Sequence, residues 1–174
     1  LTATSNEGVP ASESFTIDIT PVAEPVITLS VDDTAANVTR DTAAGPDSFS
    51  VKEDTSALLT IDASTPDTDG SEQLTQIVLE NLPAGWLPNG DVTGFFEGAS
   101  GKIATAVKAG TTVTITLTPG VTDILELLRV SPSRNDDRDV ATIVGADLVA
   151  TVTAVDSAPD IPASDTAVAV DDTD

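Results

Sequence analysis

The sequence predicts an all-β fold, an antiparallel sandwich joined by Greek-key connections, and three observations carry that expectation. Thr, Val, Ile and Ala dominate a chain that is 40% hydrophobic but only 3% aromatic, and β-branched residues favour strands. The apolar residues recur in short runs with period two, as half-buried strands require. Gly, Pro and Asp separate the runs, which is the punctuation of many short antiparallel strands.

Residues 14–20 (Ser-Phe-Thr-Ile-Asp-Ile-Thr) alternate strictly and read as the first strand. Runs at 26–31, 48–51, 58–61 and 76–79 repeat the pattern. Residues 102–108 and 112–117 form a predicted hairpin around Ala109-Gly110. Within 122–128, Ile124, Leu125 and Leu128 recur at helical spacing behind Pro119-Gly120, which predicts one short helical turn leading into a strand at Arg129-Val130. Strands at 140–144 and 148–155 follow, divided by Gly145. Trp86 lies among Leu82, Pro83, Ala84 and Leu87, which points to packing rather than to sugar stacking.

The end of the chain repeats its beginning. Val152-Thr153-Ala154 matches Leu1-Thr2-Ala3, and Ile161-Pro162-Ala163-Ser164-Asp165 matches Val9-Pro10-Ala11-Ser12-Glu13, with one residue inserted near Asp160. A repeat that long is a whole domain, so the chain reads as a piece of a tandem array. Residues 1–23 would then be the closing hairpin of a preceding repeat, and 24–174 the next one. A competing reading keeps 1–23 as extra strands of the same sandwich.

Charge narrows the function. The chain carries 29 acidic against 7 basic residues, a net charge of −22, with no His and no Cys. Nucleic acid is excluded as a partner, because phosphate binding needs Lys and Arg to displace counterions. Anionic membrane surfaces are disfavoured for the same reason, and no apolar run is long enough for a membrane helix. Without His, Cys or Tyr, most general bases and nucleophiles are missing, so the expectation is a protein that is not an enzyme.

The acids cluster at turns. Asp67-Thr68-Asp69-Gly70-Ser71-Glu72 sets three carboxylates and a hydroxyl on a glycine turn. Carboxylates that close stay ionised together only beside a cation, and a flexible cluster of oxygens suits calcium. An Asp-Gly turn capped by its own side chains is the plainer alternative. Glu53-Asp54 precedes the strand at 58–61, and Asn135-Asp136-Asp137-Arg138-Asp139 forms a second acidic loop that Arg134 and Arg138 partly neutralise. Asp156, Asp160, Asp171, Asp172 and Asp174 crowd the last hairpin and its exit.

These residues together resemble the Ig-like (bacterial cadherin-like) repeats of large repeats-in-toxin (RTX) biofilm adhesins exported by type I secretion. The resemblance runs in order through Glu53-Asp54-Thr55, the Asp67-to-Glu72 turn with Leu74, and the Leu82-Pro83-Ala84-Gly85 turn. It continues through Leu128-x-Val130-x-Pro132 with its acidic loop to Asp139, and the closing strand 148–154 ending in Asp156. It implies an Ig-like, calcium-binding extender repeat on the secreted, cell-surface part of an adhesin. Its partners would be adjacent repeats of the same chain, and the unit itself a monomer. Carried over position by position, the implied Ca2+ ligands are Glu53, Asp67, Asp69, Glu72, Asp139 and Asp156. Residues 88–108 depart from the family pattern, which opens an alternative: a domain that binds glycan or protein through residues 88–101.

Overall fold

The computed structural model describes residues 2–4, 10–12, 24–32, 34–40, 49–52, 55–66, 70–98, 100–131, 140–143, 148–156 and 163–170. In chain order their strands are β1 (Thr2–Thr4), β2 (Pro10–Ser12), β3 (Val26–Val31), β4 (Val38–Arg40), β5 (Phe49–Lys52), β6 (Ala57–Ser64) and β7 (Glu72–Glu80). β8 (Gly90–Asp91) and β9 (Phe96–Glu97) flank a 3-10 turn at Thr93–Phe95. Then come β10 (Ile103–Ala109), β11 (Thr112–Leu117), β12 (Asp123–Val130), β13 (Val140–Ile143), β14 (Val149–Asp156) and β15 (Ala163–Val170). The fold is an all-β antiparallel sandwich.

One sheet has six strands in the order β15-β14-β7-β11-β10-β8, and a second has four in the order β3-β6-β12-β9. A three-stranded sheet β13-β5-β4 and the β1-β2 pair complete the described residues. Alternation decides what meets between the sheets. Leu59, Ile61, Ala63, Ile124, Leu128 and Val130 line the inner face of the four-stranded sheet. Ile77, Leu79, Val113, Ile115, Ala150 and Val152 line that of the six-stranded sheet. Both rows belong to one buried cluster, joined by Val38, Phe49 and Val51 of the small sheet. Trp86 is in the same cluster at 5% exposure, so it serves as core.

Among the described strands, three connections pass between the two large sheets at one end: β6 to β7, β9 to β10, and β11 to β12. Backbone hydrogen bonds lace the first and last of these together: Thr65 N–H donates to the Thr122 carbonyl at 2.9 Å, and Leu74 N–H to that of Val121 at 2.6 Å. Gly120 N–H adds a bond of 2.9 Å to the Gln73 side-chain oxygen.

One expectation is corrected. Residues 122–128 do not form a helical turn; Asp123–Val130 is strand β12, paired with β6 over eight positions from Asp123↔Ser64 to Val130↔Ala57. Ile124 and Leu128 point inward, while Leu125 is 62% exposed on the outer face. Four residues separate Ile124 from Leu128, a spacing that satisfies a helical face and a strand face alike. A full ladder with β6 resolves the ambiguity, because tertiary pairing overrides the mild helix preference of Leu and Glu. The runs expected at 26–31, 48–51, 58–61, 76–79, 102–108, 112–117, 140–144 and 148–155 each coincide with a strand, within a few residues at their ends, whereas the short strands β4, β8 and β9 carry no alternation long enough to announce them. The predicted strand at 14–20 lies outside the described residues.

This parity predicts opposite outcomes for neighbouring leucines. Leu128→Ala, which empties a fully enclosed site, should cost roughly 2–5 kcal/mol, whereas Leu125→Ser should stay within about 0.5 kcal/mol. Urea denaturation of both variants measures the difference; equal losses would mean that both leucines share one buried face.

Candidate functional site

The acidic turn occupies the crossing from β6 to β7. Gly70 holds a φ of +84°, a conformation that L side chains adopt only at a cost, and it directs the chain into β7. A bulge then sets the direction of the next carboxylate. Opposite β14 the register runs Gln76↔Thr153 and then Leu74↔Ala154, so Thr75 is the extra residue. The inward row of β7 therefore reads Glu72, Leu74, Ile77, Leu79. Without the bulge, parity would turn Gln73 inward and Glu72 out. With it, Glu72 is only 3% exposed.

The register also brings Asp156, the last residue of β14, directly opposite Glu72. Two of the six expected ligands thus occupy facing positions at one sheet end, Glu72 on β7, which Asp67 and Asp69 precede in sequence, and Asp156 on β14. Asp67, Asp69, Glu53 and Asp139 themselves lie outside the described residues. The described neighbours of the last two are informative: Lys52 pairs with Val140, so the positions next to Glu53 and Asp139 adjoin on the small sheet. Thr55 leads into the start of β6, eight strand residues from Ser64, where the crossing begins. Among the described residues, no group of three or more acidic side chains is close enough to hold a metal.

The 88–101 segment forms a second feature. Asp91 accepts the Thr93 backbone N–H at 2.9 Å, closing a tight turn into the 3-10 segment. That backbone bond, followed by the Thr93 side chain, holds the Asp91 carboxyl below its ordinary value of 3.8. Asp32 is lowered in the same way, first by the Thr34 hydroxyl at 2.6 Å and then by the Thr34 N–H.

Two concavities border this segment. One, of about 730 Å³, is lined by Trp86, Pro88, Asn89, Phe95 and Lys108 among others. Lys108 is 4% exposed, and its ammonium donates to the Gly110 carbonyl at 2.6 Å and to Asn89 Oδ1 at 3.4 Å. The other, of about 260 Å³, is lined by Thr93, Phe96, Ser100, Gly101, Ile103 and Glu126.

Glu126 is the residue that sequence reasoning missed. It lies on the inward row of β12 between Ile124 and Leu128 and is 3% exposed. Its Oε1 accepts both the Ser100 hydroxyl and the Ser100 N–H, the latter at 3.3 Å. Its Oε2 is buried with no hydrogen-bond partner. The signal was present as an acid in an Ile-x-Glu-x-Leu-x-Val alternation, and the helical reading of 122–128 concealed it.

No family model matches the chain, and no curated protein does. Among solved structures, the crystal structure of a DUF4466 family protein from Parabacteroides merdae is similar at 12% identity and a TM-score of 0.44. The match covers 84% of this chain and 44% of that one, so the chain spans less than half the length of its structural neighbour.

The Asp91 turn generates a titration prediction. A carboxyl lowered in the folded state stabilises the fold above its unfolded pKa, and that contribution fades as pH falls through the folded value. Carbon-detected NMR should place the Asp91 midpoint below 3.8. Thr93→Ala should raise it only in part, because the backbone donor remains; an unshifted Asp91 in the parent chain would contradict the turn geometry.

Proposed function

We propose that this chain is a non-catalytic, calcium-stiffened structural repeat of a secreted bacterial RTX adhesin, extending the adhesin from the cell surface in support of adhesion and biofilm formation. The observation that carries the reading is the facing pair Glu72↔Asp156 at the crossing where the Asp67-to-Glu72 turn joins the two sheets. Like charges directly opposite each other destabilise a sheet, and a cation among them reverses the sign. Calcium held there would tie one sheet to the other and to the turn end of the closing hairpin β14-β15. Glu72, Asp156, Asp67 and Asp69 form the principal candidate set; Glu53 and Asp139, whose neighbours adjoin elsewhere, would serve a separate ion. The net charge of −22 supplies both the need for counter-cations and their attraction.

Extracellular calcium modules bind with dissociation constants on the order of 10⁻⁴ to 10⁻³ M. At a hundredfold excess over that constant, binding to the folded state alone contributes about 2.7 kcal/mol. For a chain of this size that corresponds to a Tm rise of roughly 5–10 °C. Chelator should therefore lower the Tm by that amount. Calcium should restore it, sodium at equal ionic strength should not, and Glu72→Gln should remove most of the response. A melting curve indifferent to chelator would overturn the reading.

A second reading is favoured by the concavity of about 730 Å³ at Trp86, Phe95 and Lys108: a glycan- or protein-binding domain working through residues 88–101. Because Trp86 is core, Phe95, which is half-buried, is the residue to test. Binding on a glycan array that a still-folded Phe95→Ala variant has lost would favour this reading over a spacer; an array without specific binding would count against its glycan form.

A further inference from the structure

The carboxylate of Glu126 poses a problem that the structural role does not solve. It sits in the aliphatic core face of β12, and a charge so enclosed is costly unless fully hydrogen-bonded or paired. Ser100 supplies two donors to Oε1 and none reaches Oε2. Two basic residues on neighbouring segments are engaged elsewhere: Lys102 with Asp123 at 2.6 Å and Arg129 with Glu97 at 3.4 Å. A Cβ added at Gly98 would lie 3.2 Å from Oε2, and the φ of +128° there is one that L side chains rarely adopt. Glycine at this position thus lets the chain pass close over that oxygen.

The lining decides what could answer the charge. A divalent metal wants six to eight oxygens. The cavity offers one carboxylate and the hydroxyls of Ser100 and Thr93, and the Thr93 hydroxyl already accepts the Ala106 N–H at 2.9 Å. Its remaining side-chain walls, Phe96 and Ile103, are carbon. A guanidinium gains its advantage from a two-point fork onto both carboxylate oxygens, but Oε1 is already doubly bonded. An ammonium needs no fork: it can meet the carboxylate with one of its three donors, leave the others to water, and bring its own hydrocarbon stem. That stem suits Ile103, and the face of an aromatic ring attracts an adjacent cation.

We propose that the cavity of about 260 Å³ at Glu126 is a binding site for a primary alkylammonium group, with Glu126 as its counter-ion and Phe96 and Ile103 holding the methylene stem. The group has two sources, a free aliphatic amine or the side chain of a lysine on a protein partner. The site lies on residues distinct from the Glu72–Asp156 crossing and does not depend on calcium being bound there.

Isothermal titration in saturating calcium and moderate salt tests it on the whole chain. The probes are 1,5-diaminopentane and Nα-acetyl-lysine methylamide, with 1-pentanol and Nα-acetyl-arginine methylamide as controls. One saturable site is expected for at least one amine, with little response to pentanol and weaker binding of the arginine compound. Tighter binding of the diamine assigns the free amine; tighter binding of the lysine compound assigns the side chain. Glu126→Gln keeps the shape and the acceptor for Ser100 and should weaken binding by about tenfold or more. If that variant fails to fold, Ile103→Trp, which fills the cavity from the carbon side, should abolish binding instead. Absence of saturable amine binding, equal affinity for pentanol, or full binding retained in a folded Glu126→Gln or Ile103→Trp overturns the proposal. The chelator melting curve is a separate readout, so either conclusion can fail without the other.

Discussion

Strand parity governs this molecule. With no cysteine to form disulfides and few aromatics, stability must come from two aliphatic rows facing each other across the sandwich. Each inward position is set by period two from its neighbours, and each is sealed by the opposite sheet. A one-residue slip would turn a whole strand inside out. The ladder of eight positions between β6 and β12 pins one sheet. The β14-β7-β11 ladders pin the other.

Parity also decides which carboxylates matter. Among the described residues, Asp62, Glu80, Asp91 and Asp123 are exposed, where water screens them and an ion pair such as Lys102–Asp123 contributes little. Glu72 and Glu126 are not. Glu72 is turned inward by the Thr75 bulge, and Glu126 by its place in the β12 alternation, each at 3% exposure. They lie in different surroundings. Glu72 stands at a sheet end with Asp156 at the facing register position, where we propose a hard cation. Glu126 stands among carbon walls with a single serine, a setting that suits an organic cation.

The crossings explain why the acidic turn sits where it does. The β6-to-β7 and β11-to-β12 connections pass between the sheets at the same end and are joined by the Thr65–Thr122 and Leu74–Val121 hydrogen bonds. An ion at that end would act on the joint between the layers rather than on one hairpin. The 88–101 segment, by contrast, lies along the outer strands β8 and β9. It turns Phe95 toward one concavity and Phe96 toward the other. A short insertion between strands can do this because 3-10 geometry places consecutive side chains on different sides.

The sequence by itself determined the strand class, most strand positions and the acidic turn, since alternation, β-branching and glycine punctuation are local properties of the chain. The same local reading failed at 122–128, where Ile124 and Leu128 fit either period and only pairing with β6 could choose. It could not place Glu72 inward, because the bulge at Thr75 arises from the register of β7 against β14, a strand some eighty residues away. Nor could it bring Asp156 opposite Glu72, or find the enclosed carboxylate of Glu126 beneath Ser100. Those are facts of which strand lies beside which, and long-range register is decided by the packing of the two sheets rather than by any window of residues.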